Sequence, residues 1–200
     1  MPTDAKLAET LTMKIQNRWF VVLLISISAA ANLQAKTPVC TTPELESATY
    51  AGIEETPVTL EDGQWEGQPY VKGGAARPRV GLVQDICLSG DLDGDGIDEQ
   101  VAILWQNASG TGSYIYIAVM SRKSGEFENI STARVGDRVK IKDGRVKEGK
   151  IVLNVLQAGK ADAMCCPTPL ATRRWSLGSG QLHEAEIEIT GRLTSSESTD

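Results

Sequence analysis

Between Asp91 and Glu99 the chain reads Asp-Leu-Asp-Gly-Asp-Gly-Ile-Asp-Glu, with carboxylates at the first, third, fifth and ninth positions and glycine at the sixth. Alternate side chains of a tight loop can converge on one point, and a calcium ion asks for about six to eight oxygens at such a point. Asp91, Asp93, Asp95 and Glu99 are therefore expected to supply carboxylate oxygens and Ile97 its carbonyl, with water filling the remainder. Gly96 permits the sharp turn that the spacing requires. Asp98 is expected to point away from the ion. The bland alternative is a solvated acidic turn, which is disfavoured because four carboxylates held this close repel one another without a cation.

A helix-loop-helix calcium site would need Glu at position 12, where Ala102 stands, and the residues that follow read as a strand. The loop resembles instead the integrin-type propeller loop, the FG-GAP calcium loop, which joins two strands and takes a carboxylate from position nine. Glu99 fills that position where the family usually has Asp. A wider series comprises Gly90 to Gly96, Gly110-Thr111-Gly112 with Tyr114, Gly136-Asp137-Arg138-Val139 and Cys165-Cys166-Pro167-Thr168. It resembles a group of uncharacterised secreted bacterial proteins. That resemblance implies export and a β architecture, and it implies no mechanism.

The remaining residues with chemical capacity have plainer explanations. His183 is the only histidine, so a Ser-His-Asp arrangement or a multi-histidine zinc site would rest on it alone, and a surface role is the simpler expectation. Cys165 and Cys166 could form a reactive pair, but pairing outward with Cys40 and Cys87 is less strained. Gly110-Thr111-Gly112 is a hairpin turn before it is a phosphate cradle, since no Lys-Ser/Thr and no helix pattern follows it. Asn107 and Asn129 begin glycosylation sequons and read as turn and strand residues. Arg173-Arg174 beside Trp175 could make a small cationic, aromatic contact, although an ordinary strand with one solvated face is expected.

The elements that would hold the loop are short. The 19 glycines and 8 prolines recur between runs rich in Val, Ile, Leu and Tyr, as in many strands joined by turns. Strands are expected at 56–60, 64–70, 79–88, 100–105, 114–120, 129–135, 138–142, 150–156, 170–177 and 181–189, with turns at 61–63 and 107–113. The acidic loop would then lie between two strands, and 100–105 with 114–120 would form a hairpin. No period of about 20 to 50 residues repeats, which argues against a complete propeller or solenoid. The expected fold is mainly β, a single antiparallel domain built as a sandwich, an open barrel or a meander.

Three segments follow. Lys14 and Arg18 precede an apolar run from Trp19 that grades into Ala29, Ala30 and Ala31, the layout of a cleaved signal peptide. Residues 1–35 are assigned to it, with cleavage after Ala31 or Ala35 and a possible start at Met13. The 13 residues from Trp19 to Ala31 are too short to span a membrane. Residues 36–193 form the β domain, opening with a flexible lead to Pro43, and 194–200 form a disordered tail. The four cysteines all lie after the leader, and an even number in an exported chain suggests disulfides.

A formal charge of −6 argues against nucleic acid, which needs clustered Lys and Arg. The sequence thus favours a periplasmic or extracellular, non-enzymatic calcium module, with a protein or glycan as partner. The alternatives are a secreted hydrolase using carboxylates such as Asp85 or Asp137, and a periplasmic enzyme inhibitor.

Overall fold

The computed structural model describes residues 43–193, apart from 87, 109, 111, 161, 164, 165 and 186. The expected leader at 1–35, most of the expected lead from 36 to 43, the expected tail at 194–200 and Cys40, Cys87 and Cys165 lie outside the described residues. Within them the chain is mainly β, with antiparallel sheets and no closed barrel. No helix among them is long and apolar enough to cross a membrane.

The chain opens with a four-residue helix, α1 (Pro43–Glu46), and a two-stranded ribbon, β1 (Thr49–Tyr50) and β2 (Val58–Thr59). A six-stranded sheet follows, made of β3 (Gln64–Glu66), β4 (Pro78–Leu82), β5 (Leu88–Gly90), β6 (Glu99–Ala108), β7 (Tyr114–Ser121) and β8 (Glu128–Asp137). Its order is β3-β4-β6-β7-β8, with β5 also on β6. A five-stranded sheet completes the chain, from β9 (Lys140–Lys147), β10 (Lys150–Leu156), β11 (Pro169–Gly178), β12 (Gln181–Glu184) and β13 (Glu188–Arg192). Its order is β12-β11-β10-β9, with β13 also on β11.

The apolar run of β6 is continuous because both of its faces are buried. Side chains alternate across a strand, so Ala102 and Leu104 of β6, with Tyr116, Ala118 and Met120 of β7, face one way. They meet Leu45 of α1, Tyr50 and Val58 of the ribbon and Leu60 just after it. Val101, Ile103, Ile117 and Val119 face the other way and meet Ile151, Leu153, Val155 and Trp175 of the five-stranded sheet. The two large sheets therefore form the sandwich, and the ribbon covers its outer flank.

Two expected strands are each interrupted. Residues 79–88 divide into β4 and β5, which both pair with β6: Leu82 lies opposite Leu104 and Leu88 opposite Val101. The exposed Gln84 and Asp85 bulge outward as a turn, since neither has a place in the packed layers. Residues 181–189 likewise divide into β12 and β13, both on β11, with Trp175 opposite Glu184 and Thr172 opposite Glu188. Two further expectations are corrected in length. The return strand at 64–70 stops at Glu66, and that at 138–142 begins at Lys140 and runs to Lys147. Pro43, placed at the end of a flexible lead, starts α1.

The sheets pack closely where β5 crosses β9. A Cβ on Gly90 would meet Val146 Cγ1 at 2.6 Å, and one on Gly144 would meet Leu88 Cδ2 of the other sheet at 3.0 Å. Only glycine allows so short a distance between the layers. Gly90 is also the last residue before the acidic loop, so this crossing anchors the loop's first end.

Candidate metal centre

The loop leaves β5 at Gly90 and enters β6 at Glu99, so both ends are held on neighbouring strands of one sheet. Inside it the aspartates do what short polar side chains do in turns, accepting hydrogen bonds from amides two to five residues on. Asp91 accepts from Gly94 N at 2.7 Å and from Gly96 N at 3.0 Å. Asp93 accepts from Asp95 N at 3.2 Å, and Asp95 from Ile97 N at 2.8 Å. Gly94 and Gly96 have φ of 83° and 85°, a left-handed backbone that side chains rarely adopt. Both turns thus require glycine.

Asp91, Asp93 and Glu99 come together: each offers an oxygen, and these lie within 4.8 Å of one another, a group that could hold a metal ion. Asp95 stands outside this group and turns toward Lys123, whose ammonium lies 2.9 Å from Asp95 Oδ2 and 3.1 Å from Asp93 Oδ2. Ile97 has an exposed side chain and donates its amide to Asp95. Asp98 is exposed. Of the five residues expected from spacing, the fold therefore gathers three carboxylates.

Glu99 differs from the aspartates in being buried, at 1% exposure, at the rim of the core that holds Leu92 and Val101. Its Oε2 accepts from Leu92 N at 2.9 Å, and Ser121 Oγ lies 3.4 Å from Oε1. Burial raises the Glu99 pKa above its ordinary value, the Leu92 amide pulls it down, and the charges of Asp93, Asp95 and Asp91 push it up further. Asp95 moves the other way, lowered first by its hydrogen bond with Lys123 and then by the Ile97 amide. Lys123 in turn is raised by Asp95 and Asp93. The site is electrostatically divided, with a buried carboxyl that resists ionisation on one side and an exposed ion-paired group on the other.

Lys123 lies outside the motif and could not be found from its spacing. It sits in the turn between β7 and β8, and register brings it in: Gln100 pairs with Met120, so the residues after Ser121 stand over the loop's exit. A basic Arg122-Lys123 turn one strand away from an acidic loop was the available signal.

The other candidates take structural places. His183 is exposed on β12 opposite Ser176. Arg173 and Trp175 point inward on the buried face of β11, while Arg174 lies on its more exposed face and pairs with Glu188. The Arg173 guanidinium is buried, pairs with Glu184, donates to the Val135 carbonyl and lies 5.1 Å from the Trp175 ring centre. Asn129 spends both ends of its amide on the backbone of Ala51, Val119 and Ser131 and on the Thr132 hydroxyl. Asp137 accepts from Ser113 N at 3.1 Å and pairs with Arg138, while Asp85 lies in the exposed turn before β5.

No known family, curated protein or solved structure matches the chain.

Proposed function

We propose that the protein is an exported calcium-binding β module whose role is binding or structural rather than catalytic. The observation that carries this reading is the convergence of Asp91, Asp93 and Glu99 oxygens within 4.8 Å on a loop whose two ends are fixed by β5 and β6. A hard divalent cation favours such an all-oxygen set, with the Ile97 carbonyl, Asp95 and water to complete it. The ion would also offset the cost of keeping Glu99 ionised next to three aspartates. The resemblance of the loop to the FG-GAP loop supports the same assignment.

Export rests on the leader-like segment before Ala35 and on the cysteines. A disulfide at Cys166 would fit an oxidising compartment. The mature amino terminus, measured by mass, should fall near Asn32 or Lys36.

One observation favours a binding or inhibitory module over a hydrolase. Tyr70 and Val71 stand exposed, at 53% and 71%, in the connection between β3 and β4. That connection is stiffened by hydrogen bonds from Gly67 N to Pro78 O, Tyr70 N to Ala76 O and Gly74 N to Val71 O. An apolar tip on a braced loop suits contact with a protein or glycan partner. Asp137, by contrast, is committed to Ser113 and Arg138.

Calorimetric titration of the purified chain with calcium tests the ion site. Heat of binding that disappears in Asp93→Ala supports it, and absence of heat in the unchanged chain rejects it.

A further inference from the structure

Lys123 is placed over the acidic loop by the same serine that touches the loop's last carboxylate. Its backbone amide donates to Ser121 Oγ at 3.2 Å, and that hydroxyl lies 3.4 Å from Glu99 Oε1. From there its ammonium reaches Asp93 Oδ2 and Asp95 Oδ2. The adjacent Arg122 turns away, pairing with Glu44 and lying 4.6 Å from the centre of the Phe127 ring. Two neighbouring cations in one turn thus serve different parts of the molecule.

Asp93 belongs both to the Lys123 pair and to the group it forms with Asp91 and Glu99. An ammonium can neutralise part of the loop's charge, but it only donates hydrogen bonds and carries a single charge. A calcium ion carries two and coordinates the oxygens directly. Two cations held on one Asp93 carboxylate repel each other. We propose, on the strength of the calcium reading above, that Lys123 is the loop's built-in counter-cation. It holds Asp93 and Asp95 before an ion arrives and is pushed back from Asp93 by the charge of calcium as the ion enters. The lysine therefore stabilises the ion-free loop and weakens calcium binding, which sets the affinity of the site to a higher working concentration of the ion.

The two effects have opposite signs, and one pair of measurements on the purified full chain separates them. With calcium alone as the probe, Lys123→Met should bind about tenfold more tightly than the unchanged chain, the scale expected for losing two exposed ion pairs. In chelator it should melt at a lower temperature, and the gap should close at saturating calcium. Lys123→Gln should behave alike, which guards against a packing effect of the Met side chain. Arg122→Met removes the same charge from the same turn and should change calcium affinity less than about threefold. Equal affinities of the unchanged chain and Lys123→Met would overturn the proposal and leave the calcium reading standing. Equal tightening by Arg122→Met would also overturn it, since net charge alone would then account for the effect. Failure of every variant and of the unchanged chain to bind calcium would remove the calcium reading and the proposal together.

Discussion

Glu99 Oε2 accepts the amide hydrogen of Leu92 at 2.9 Å, so the last carboxylate of the acidic loop is tied to the backbone at the loop's second residue. Both residues are buried, and the bond closes the loop from the core side while the aspartates close it from the solvent side. The loop keeps its shape through this ring of internal bonds, and the same bond leaves an acid group where water scarcely reaches.

The raised pKa of Glu99 has a consequence of definite sign. A carboxyl that holds its proton more strongly in the folded chain than in the unfolded chain loses stability as pH climbs from its ordinary value of 4.5 through the raised one. Glu99→Gln, always neutral and still able to accept from Leu92, should remove that decline. In chelator at neutral pH it should melt above the unchanged chain, and in calcium the order should reverse. A lower melting temperature for Glu99→Gln in chelator would show that the ionised carboxylate is already well accommodated without a cation.

Asp162 works in the opposite direction. Amides of Gly159 and Thr168 donate to its carboxylate, with the Thr168 hydroxyl and Arg192 adding to them, and its pKa is lowered. Its contribution to stability is present above the ordinary value of 3.8 and is lost as pH falls through the lowered one. Asp162→Asn should therefore melt below the unchanged chain at pH 7, and the difference should shrink as the solution is acidified below the ordinary aspartate range. A gap of constant size down to strongly acid solution would assign the effect to shape rather than charge.

Gly90 joins the sandwich to the loop. A methyl group there would press on Val146 Cγ1 at 2.6 Å and Cβ at 2.8 Å, so Gly90→Ala must push β5 and β9 apart. Overpacking of this kind costs about 1–3 kcal/mol. Urea unfolding should show a lower midpoint with an unchanged slope. An unchanged midpoint would mean that the layers part without penalty.

The centre of the fold was legible because its signals are local. β6 and β7 are apolar on both faces and separated by a short Gly/Ser-rich stretch of sequence, so their pairing follows from residues 99–121 alone. The interruptions were hidden because they depend on a partner. Val83, Ile86 and Leu88 continue the apolar run of β4, and only the single edge of β6 forces β4 and β5 to share it. β9 was underestimated because its outward residues are Lys, Asp and Arg, the charges that guard a sheet edge and leave little apolar pattern. The loop's carboxylates could be read from spacing, as could the glycines that turn it. Lys123 and the buried Arg173 could not, since each meets its partners through strands distant in sequence.

The central claim is tested most directly by thermal melting of the purified chain in chelator and in calcium. Calcium at about a hundred times its dissociation constant should add about 2.7 kcal/mol, because the folded loop binds it and the open chain does not. For a domain of this size that corresponds to a rise of about 5–10 °C. Asp93→Ala should lose most of the rise, and Asp98→Ala, whose side chain is exposed outside the group, should keep it. Equal melting temperatures of the unchanged chain in chelator and in millimolar calcium would contradict the account and leave the loop an acidic turn neutralised by Lys123.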